Sequence, residues 1–583
     1  MRDKTSQENI AGHTGETEPK EEKRRHASMI SPSVRLAASV CGALYAQGVR
    51  DVVYCPGSRS APFAYVLDAL TKRGYLRSHI RVDERSAGFL ALGLSRGAEV
   101  QGKNPAPVAI VTTSGTAVTE LHASIAEASH AKIPLLVLSA DRPFEMRGVG
   151  ASQTTDQVGV FASHVRGNWD IPAGSDEVAS LPAIVGRALA CAQGKPTGEA
   201  GPVHINVGLR DPLTPTSFCE DSEWVADVVC DYADEAARRT PTVHAAVPVP
   251  VPWNSVIVPE LRTVIVAGEG ADKQVGEWAS RARVPLIAEP SVPRSEFVLP
   301  YEQSLLSRSQ LMEGIEQVIV TGRPTLSRVV QGLLAKKGVR VIVQSPSGPW
   351  TDVAGCATHV VAALAGPEEP HPDHAWYDLW WKVAHDEDAR IRDVLAQEPA
   401  DSSAVQVARH VWESVSGVLV LGASNSVRAV DLVARGGGPR LVITNRGLAG
   451  IDGTLATACG VAIASGECVS ALMGDLTFFH DAGALAVPHG EYVPDVRIFV
   501  VDDGGGSIFS TLEHGAAPVE LFDRWFRTRL DVSVKGLCEA YGADYRCVSV
   551  EDIPAVCQAP WRGIQVVHIP VHHVPEVYKR IRG

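Results

Sequence analysis

At 583 residues the chain exceeds what one hydrophobic core usually serves, and about 150 residues per domain suggests three or four units. Hydrophobic residues make up 45% and charged residues 21%, a globular mix that excludes a mostly disordered chain. The net charge of −13 lacks the basic footprint of a nucleic-acid binder, and no run approaches the ~18 consecutive apolar residues of a membrane helix. Any anion bound here must be held by local groups against an unfavourable overall field.

Residues 1–28 are polar and poor in apolar side chains, so a disordered N-terminal tail is expected, without the apolar stretch of a secretory signal. From Val34 onward, β-rich runs at 52–54, 108–111, 135–138 and 203–207 alternate with helix-like stretches such as 117–128. That alternation predicts βαβ units around a parallel sheet. The series breaks in a Pro- and acid-rich segment, 211–258, that contains Pro248, Pro250 and Pro252. A second series follows at 263–267, 284–288, 318–320 and 339–343. A polar break at 366–374 and a helical segment at 376–395 lead past Ala400 to a third series at 418–421, 441–444, 469–473, 498–501 and 566–569. The expected fold is α/β with three doubly wound parallel-sheet domains. Their boundaries are a tail over 1–28, a first domain over 29–215, a linker over 216–258, a central domain over 259–385 and a third domain over 386–583. Internal sequence repetition is not visible.

The eleven cysteines form no CxxC pair and no zinc-like cluster with histidine, which reads as reduced thiols and a cytoplasmic location. His568, His572 and His573 are the only histidine grouping of note; lacking a carboxylate partner in the sequence, they read as surface or packing residues. Gly268-Glu269-Gly270 follows a strand but lacks a third glycine, so it reads as a tight turn. Neither a phosphate-binding GxxxxGK[ST] loop nor a GxSxG elbow is present.

Ligands of parallel sheets sit where loops leave the C-terminal strand ends. Gly474-Asp475-Leu476-Thr477 follows an apolar strand, and Asp502-Asp503-Gly504-Gly505-Gly506 follows another one βαβ unit later. Two adjacent parallel strands would then present Asp475 and Asp503 at one end of the sheet. A hard divalent ion is held by one or two carboxylates, a carbonyl and phosphate oxygens. Glycines let backbone approach an anion closely. The plainer alternative is a helix cap beside a glycine loop.

This pattern resembles the thiamin-diphosphate motif of the decarboxylase and acetohydroxyacid-synthase superfamily. The blocks Cys55-Pro56-Gly57-Ser58-Arg59-Ser60, Val82-Asp83-Glu84-Arg85, Thr113-Ser114-Gly115-Thr116-Ala117-Val118, Ser139-Ala140-Asp141-Arg142-Pro143, the run from Asn445 through Gly453 and Gly474-Asp475-Leu476-Thr477-Phe478 narrow it to the MenD family. Its members are 2-succinyl-5-enolpyruvyl-6-hydroxy-3-cyclohexene-1-carboxylate synthases of menaquinone biosynthesis. The resemblance covers residues 33–583, most loosely in the centre.

The resemblance implies a transferase that decarboxylates 2-oxoglutarate and adds the succinyl unit to isochorismate, with thiamin diphosphate and Mg²⁺, or Mn²⁺, as cofactors. It implies a pyrimidine-binding first domain and a diphosphate- and metal-binding third domain. Glu84 would hold the cofactor's pyrimidine ring in its reactive tautomer as the catalytic residue. Ser424, Ile451 (an apolar wedge), Gly474, Asp475, Leu476, Thr477, Asp503, Gly505 and Ile508 would complete the cofactor site, and Asp475, Asp503 and Gly505 the metal site. Ser58, Arg59, Arg142, Gln153, Arg328, Arg428 and Arg446 would contact substrate. Both substrates are dicarboxylates, and arginine's planar fork suits carboxylates better than lysine's point charge. The superfamily's sites lie between subunits, so a homodimer at minimum, or a homotetramer, is implied, with no nucleic acid and no membrane insertion. Asp503 departs from the family's usual Asn, Ser327 stands where some members carry Lys, and Thr528-Arg529-Leu530 lacks a common Pro-His. A simpler 2-oxo acid decarboxylase or carboligase, or a cofactor-retaining protein without turnover, are the competing readings.

Overall fold

Short runs rich in Val, Ile and Leu dictate strands that must be covered on both faces, and the computed structural model arranges them that way. It describes residues 29–216, 223–399 and 403–583, so the expected tail at 1–28 lies outside the described residues. The first sheet contains β1 (Asp51–Tyr54), β2 (Arg77–Ile80), β3 (Val108–Thr112), β4 (Leu135–Asp141), β5 (Asn168–Ile171) and β6 (Val203–Gly208). The second contains β7 (Thr263–Ala267), β8 (Leu286–Ala288), β9 (Gln317–Thr321), β10 (Arg340–Gln344) and β11 (Ala357–Val361). The third contains β12 (Val418–Leu421), β13 (Leu441–Thr444), β14 (Val469–Gly474), β15 (Val496–Asp502), β16 (Asp544–Cys547) and β17 (Ile564–Pro570).

Every pairing within these sheets is parallel, giving three α/β units as the strand–helix alternation predicts. The spatial orders are β2-β1-β3-β4-β6-β5, β11-β10-β9-β7-β8 and β13-β12-β14-β15-β17-β16. The first and third orders are the same permutation, a repeat of topology that the sequence does not display. In the third sheet the chain winds outward from β12 to β13, then crosses to β14 on the other side. The crevice between β12 and β14 is therefore a topological switch point, where ligands of open α/β sheets bind.

Two expected boundaries take a different form. Within the segment read as a linker, Glu223–Arg239 is a helix whose Val225, Val228, Val229 and Ala233 join the core of the first unit. Its apolar positions recur at helical spacing among many charges, and that amphipathic face is what packing recovers. Helix His374–Ala396 spans the boundary drawn at 385/386. Trp376, Trp380, Val383 and Ala384 fill the second core, while Ile391 and Leu395 fill the third.

The first and third units also pack directly, helix Glu84–Arg96 against helix Thr454–Ser465. Backbones touch there: a Cβ on Gly93 would lie 2.1 Å from the Thr457 carbonyl oxygen, and one on Gly460 2.2 Å from that of Leu90. Arg96 ties all three units, donating to Glu269 Oε1 at 2.9 Å and to the Thr444 carbonyl at 2.5 Å. Glu269 belongs to the expected tight turn, whose Gly270 has φ +74°. No helix among the described residues is long and apolar enough to cross a membrane, and their cysteines are free thiols.

Candidate active site

β14 and β15 are parallel neighbours with Gly474 opposite Val501, so their following loops leave the same end of the sheet. Asp475 opens helix Asp475–His480 and is 5% exposed. Its Oδ1 accepts from Leu476 N at 2.7 Å and its Oδ2 from Gly505 N at 2.8 Å, clasping one loop to the other. Gly505 has φ +111°, and a Cβ there would lie 2.2 Å from the Arg527 carbonyl oxygen, so only glycine fits. Asp503 is 7% exposed and accepts from the Ser507 hydroxyl, which in turn accepts from Asn425 Nδ2 at 2.7 Å.

These loops and the one after β12 enclose a cavity of about 180 Å³ at the switch point. Ser424 enters it from β12, held at φ +65° and ψ −129°, a conformation costly for any residue but glycine and typical of ligand sites. Gly474, Asp475, Leu476 and Thr477 line it from β14, and Asp503, Gly505 and Ile508 from β15, with Ile451 as an apolar wall. The structure thus gathers every expected cofactor residue of the third unit. A larger cleft of about 600 Å³ near Arg35 and Arg239 contains none of the expected residues, and its arginines pair with Asp176 and Glu235.

The cavity is negative. Burial, reinforced by the neighbouring Asp503 charge, pushes the Asp475 carboxyl up to about 7. Among the described residues no Lys or Arg pairs with either carboxylate; the basic neighbour is His573, Nδ1 3.8 Å from Asp503 Oδ2. Nor does any group of three His, Cys, Asp or Glu side chains there form a complete metal cage. Two buried carboxylates beside a glycine-rich loop are an incomplete oxygen set, which suits a cation that also takes ligand phosphate oxygens.

The histidine reading needs correction. His568 lies 2.9 Å from Asp502 Oδ2, and that bond chiefly holds the Asp502 carboxyl below its usual range. His573 faces Asp503 and Ser510. Two of the three histidines therefore have carboxylate partners, because β17 pairs with β15 and places Pro570 opposite Asp502. Some 65–70 intervening residues hide this in the sequence.

Glu84 begins its helix just after the Asp83 N-cap, whose Oδ1 accepts from Ser86 N at 3.3 Å. Burial raises its carboxyl pKa, and the charges of Asp83 and Glu120 add to the effect. It does not line the Asp475 cavity of its own chain. The expected substrate residues fall into two groups. In the first unit, Arg142 donates to the Gln153 carbonyl at 2.8 Å and to Ser114 Oγ, and Gln153 Nε2 donates to the Ser114 carbonyl at 3.0 Å. Arg59 is buried, donating to the Leu209 carbonyl at 2.8 Å beside Asp211, and Ser58 is exposed next to it. In the other group, Arg428 donates to the Ser424 carbonyl at 2.7 Å and Arg446 to Thr325 Oγ1 at 2.8 Å. Burial, then the Arg446 charge, lowers the Arg428 pKa. Arg328, 77% exposed, pairs with Glu513 at 3.2 Å. Ser327 caps that helix, accepting from Val330 N, a role a lysine would not fill.

One positioning group is absent from the sequence reading. Glu127, on helix His122–Ala131 and 4% exposed, accepts from Gly447 N and Leu448 N at 2.6 Å each. A first-unit carboxylate thus holds the loop that carries Arg446 and Ile451. A helical glutamate among small residues carries no local signal of that task.

A family model described as "Thiamine pyrophosphate enzyme, N-terminal TPP binding domain" matches residues 34–160. Among curated relatives, a 2-succinyl-5-enolpyruvyl-6-hydroxy-3-cyclohexene-1-carboxylate synthase of Kineococcus radiotolerans is 41% identical over 559 residues, covering 93% of this chain and 96% of that one. The synthase so named from Rhodococcus jostii is 38% identical over 555 residues, covering 93% and 97%. A crystal structure of benzoylformate decarboxylase from Polynucleobacter necessarius superposes with a TM-score of 0.66 at 17% identity, over 92% of this chain and 99% of that one. That likeness establishes the three-unit fold.

Proposed function

Because the chain belongs to the family of 2-succinyl-5-enolpyruvyl-6-hydroxy-3-cyclohexene-1-carboxylate synthases, the thiamin-diphosphate-dependent transferases of menaquinone biosynthesis, we propose that its switch-point cavity seats the cofactor's diphosphate and a divalent cation. The reaction consumes 2-oxoglutarate and isochorismate, decarboxylating the first and joining its succinyl unit to the second. When bound, thiamin diphosphate supplies the electron sink that decarboxylation of a 2-oxo acid requires.

The observation that carries this reading is the buried pair Asp475 and Asp503 beside the Gly504–Gly506 loop, which no Lys or Arg among the described residues neutralises. Asp475, Asp503 and the Gly505 carbonyl would hold the cation; Mg²⁺ suits these hard oxygens, and Mn²⁺ would accept them too. Ser424 and Thr477 offer hydroxyls to the diphosphate, and Ile451 and Ile508 give apolar contact. Glu84, its proton retained by burial, would donate it to the ring nitrogen of the pyrimidine. Since Glu84 lines no wall of its own chain's cavity, we assign completion of the site to a second copy, in a homodimer or a larger homo-oligomer. Arg59, Arg142, Arg428 and Arg446, with Gln153, Ser58 and Arg328 around them, offer cationic and polar contacts to two dianions. Both substrates are soluble anions, and we assign the reaction to the cytoplasm.

Incubation with thiamin diphosphate, Mg²⁺, 2-oxoglutarate and isochorismate, read by product mass, tests the reading. The synthase product is expected, its formation lost on chelation. Release of carbon dioxide without any adduct to isochorismate would overturn it.

A further inference from the structure

Helix Pro575–Arg582 brings another guanidinium toward this site. The helix packs on Asn425–Val433, which carries Arg428, and on the turn Ser507–Thr511, whose first three residues line the cavity. Val577, Tyr578 and Ile581 anchor it in the third core. Its last turn is fixed by backbone contacts: Arg390 donates to the Arg580 and Ile581 carbonyls at 2.6 Å each, and Ser307 Oγ to the Arg582 carbonyl at 2.8 Å. Arg582 is therefore presented from a held backbone.

Among the described residues its own bonding engages Nε and leaves both Nη groups without a partner. Nε donates to Gln303 Oε1 at 3.1 Å, and Gln303 Nε2 donates to Asp431 Oδ2 at 2.5 Å, one turn beyond Arg428 on the same helix. Among the described residues, no carboxylate lies within ion-pairing distance of Arg582, Arg428 or Arg446, whose contacts are a glutamine oxygen, a backbone carbonyl and a threonine hydroxyl. Asp431 is the acidic group whose charge reaches them, but it is buried, bonded to Gln303, and shared among Arg294, Arg446 and Arg582, so one carboxylate faces several guanidiniums. Arg582 in turn adds to the positive field that, after burial, lowers the Arg428 pKa. Several partly buried guanidiniums sharing one carboxylate are costly together unless an anion joins them.

We propose that Arg582 is a further carboxylate-binding arginine of the substrate site, acting with Arg428 and Arg446 to make the enzyme select dicarboxylate over monocarboxylate 2-oxo acids. The inference rests on the functional reading above.

The full-length Arg582→Gln and Arg582→Lys proteins, loaded with thiamin diphosphate and Mg²⁺, provide the test. Steady-state kinetics would compare 2-oxoglutarate with 2-oxopentanoate, and calorimetry would compare succinate with butyrate as non-reacting probes. For Arg582→Gln a loss of about tenfold or more in 2-oxoglutarate KM and in succinate affinity is expected, with kcat and the monocarboxylate values within about threefold, as for one charge-assisted hydrogen bond. Arg582→Lys should recover part of the loss, since it restores charge without the fork. Equal losses for both acid classes, or unchanged dicarboxylate binding, would overturn the proposal and leave Arg582 a structural residue. If the unaltered enzyme failed to turn over 2-oxoglutarate, the functional reading would fall; the succinate titrations would still decide whether Arg582 binds carboxylate.

Discussion

Glu84 stands where a helix N-terminus and a half-buried setting pull in opposite directions. The helix dipole favours the charged carboxylate, whereas burial and the Asp83 and Glu120 charges favour the neutral acid, and the second influence prevails. Glu84→Gln preserves shape but has no exchangeable carboxyl proton, so kcat should fall by roughly 10²–10⁴-fold, the range for general acid–base groups. Cofactor affinity should stay within a few-fold, and fluorescence titration with thiamin diphosphate checks it. Wild-type rates of cofactor proton exchange would sink the assignment. Asp503 poses a different question, since its charge stands where the family resemblance leads one to expect an amide. Ser507 and His573 face its carboxylate, which suggests why the extra charge is tolerated. Asp503→Asn should keep Mg²⁺-dependent cofactor binding within a few-fold, because an oxygen ligand survives. Asp503→Ala should weaken it by at least about tenfold, the loss expected when a charged oxygen contact is removed. Identical titrations for both variants and wild type would remove Asp503 from the metal site.

Elements decide what a sequence can reveal. Thirteen strands were legible as apolar runs, and the four that were not, β2, β5, β11 and β16, all lie at sheet edges. Their sequences, such as Arg77-Ser78-His79-Ile80 and Asp544-Tyr545-Arg546-Cys547, are half exposed and lack the continuous apolar character of a strand covered on both faces. The loops after β14 and β15 were legible because glycine and aspartate follow the apolar runs there one βαβ unit apart, whereas Ser424 after β12 was implied only by the resemblance. Contacts between elements were not legible, and Glu127 is the clearest case. Its carboxylate accepts two amide protons of the 445–450 loop, so Glu127→Gln would oppose an NH₂ to one of them at 2.6 Å. A buried donor left unmatched costs about 1–3 kcal/mol. The loop holding Arg446 and Ile451 should loosen, raising the KM for 2-oxoglutarate several-fold while far-ultraviolet circular dichroism stays native. A fall in thermal midpoint with unchanged KM would mean that Glu127 serves interdomain packing alone.

At the scale of the whole molecule, the first and third sheets share one strand order, and on the proposed reading each supplies half of a site. Asp475, Asp503 and Ser424 surround the third sheet's switch point, while Glu84 stands on the first unit and reaches no wall of that cavity. An isologous dimer would set the first unit of one copy against the third unit of the other, twice. Complementation follows from that arrangement. Glu84→Gln homodimers and Asp475→Ala homodimers should each be inactive, because every site contains one lesion. In a mixed dimer, one site joins the unaltered first unit of the Asp475 variant to the unaltered third unit of the Glu84 variant, and its twin carries both lesions. Unbiased pairing makes half the dimers mixed with one working site each, so co-refolded variants should recover about one quarter of wild-type activity. Two differently tagged chains, captured in sequence, verify that mixed dimers have formed. Mixed dimers without activity would place Glu84 and the carboxylate pair in a site built from one chain, and the shared-site arrangement would be wrong.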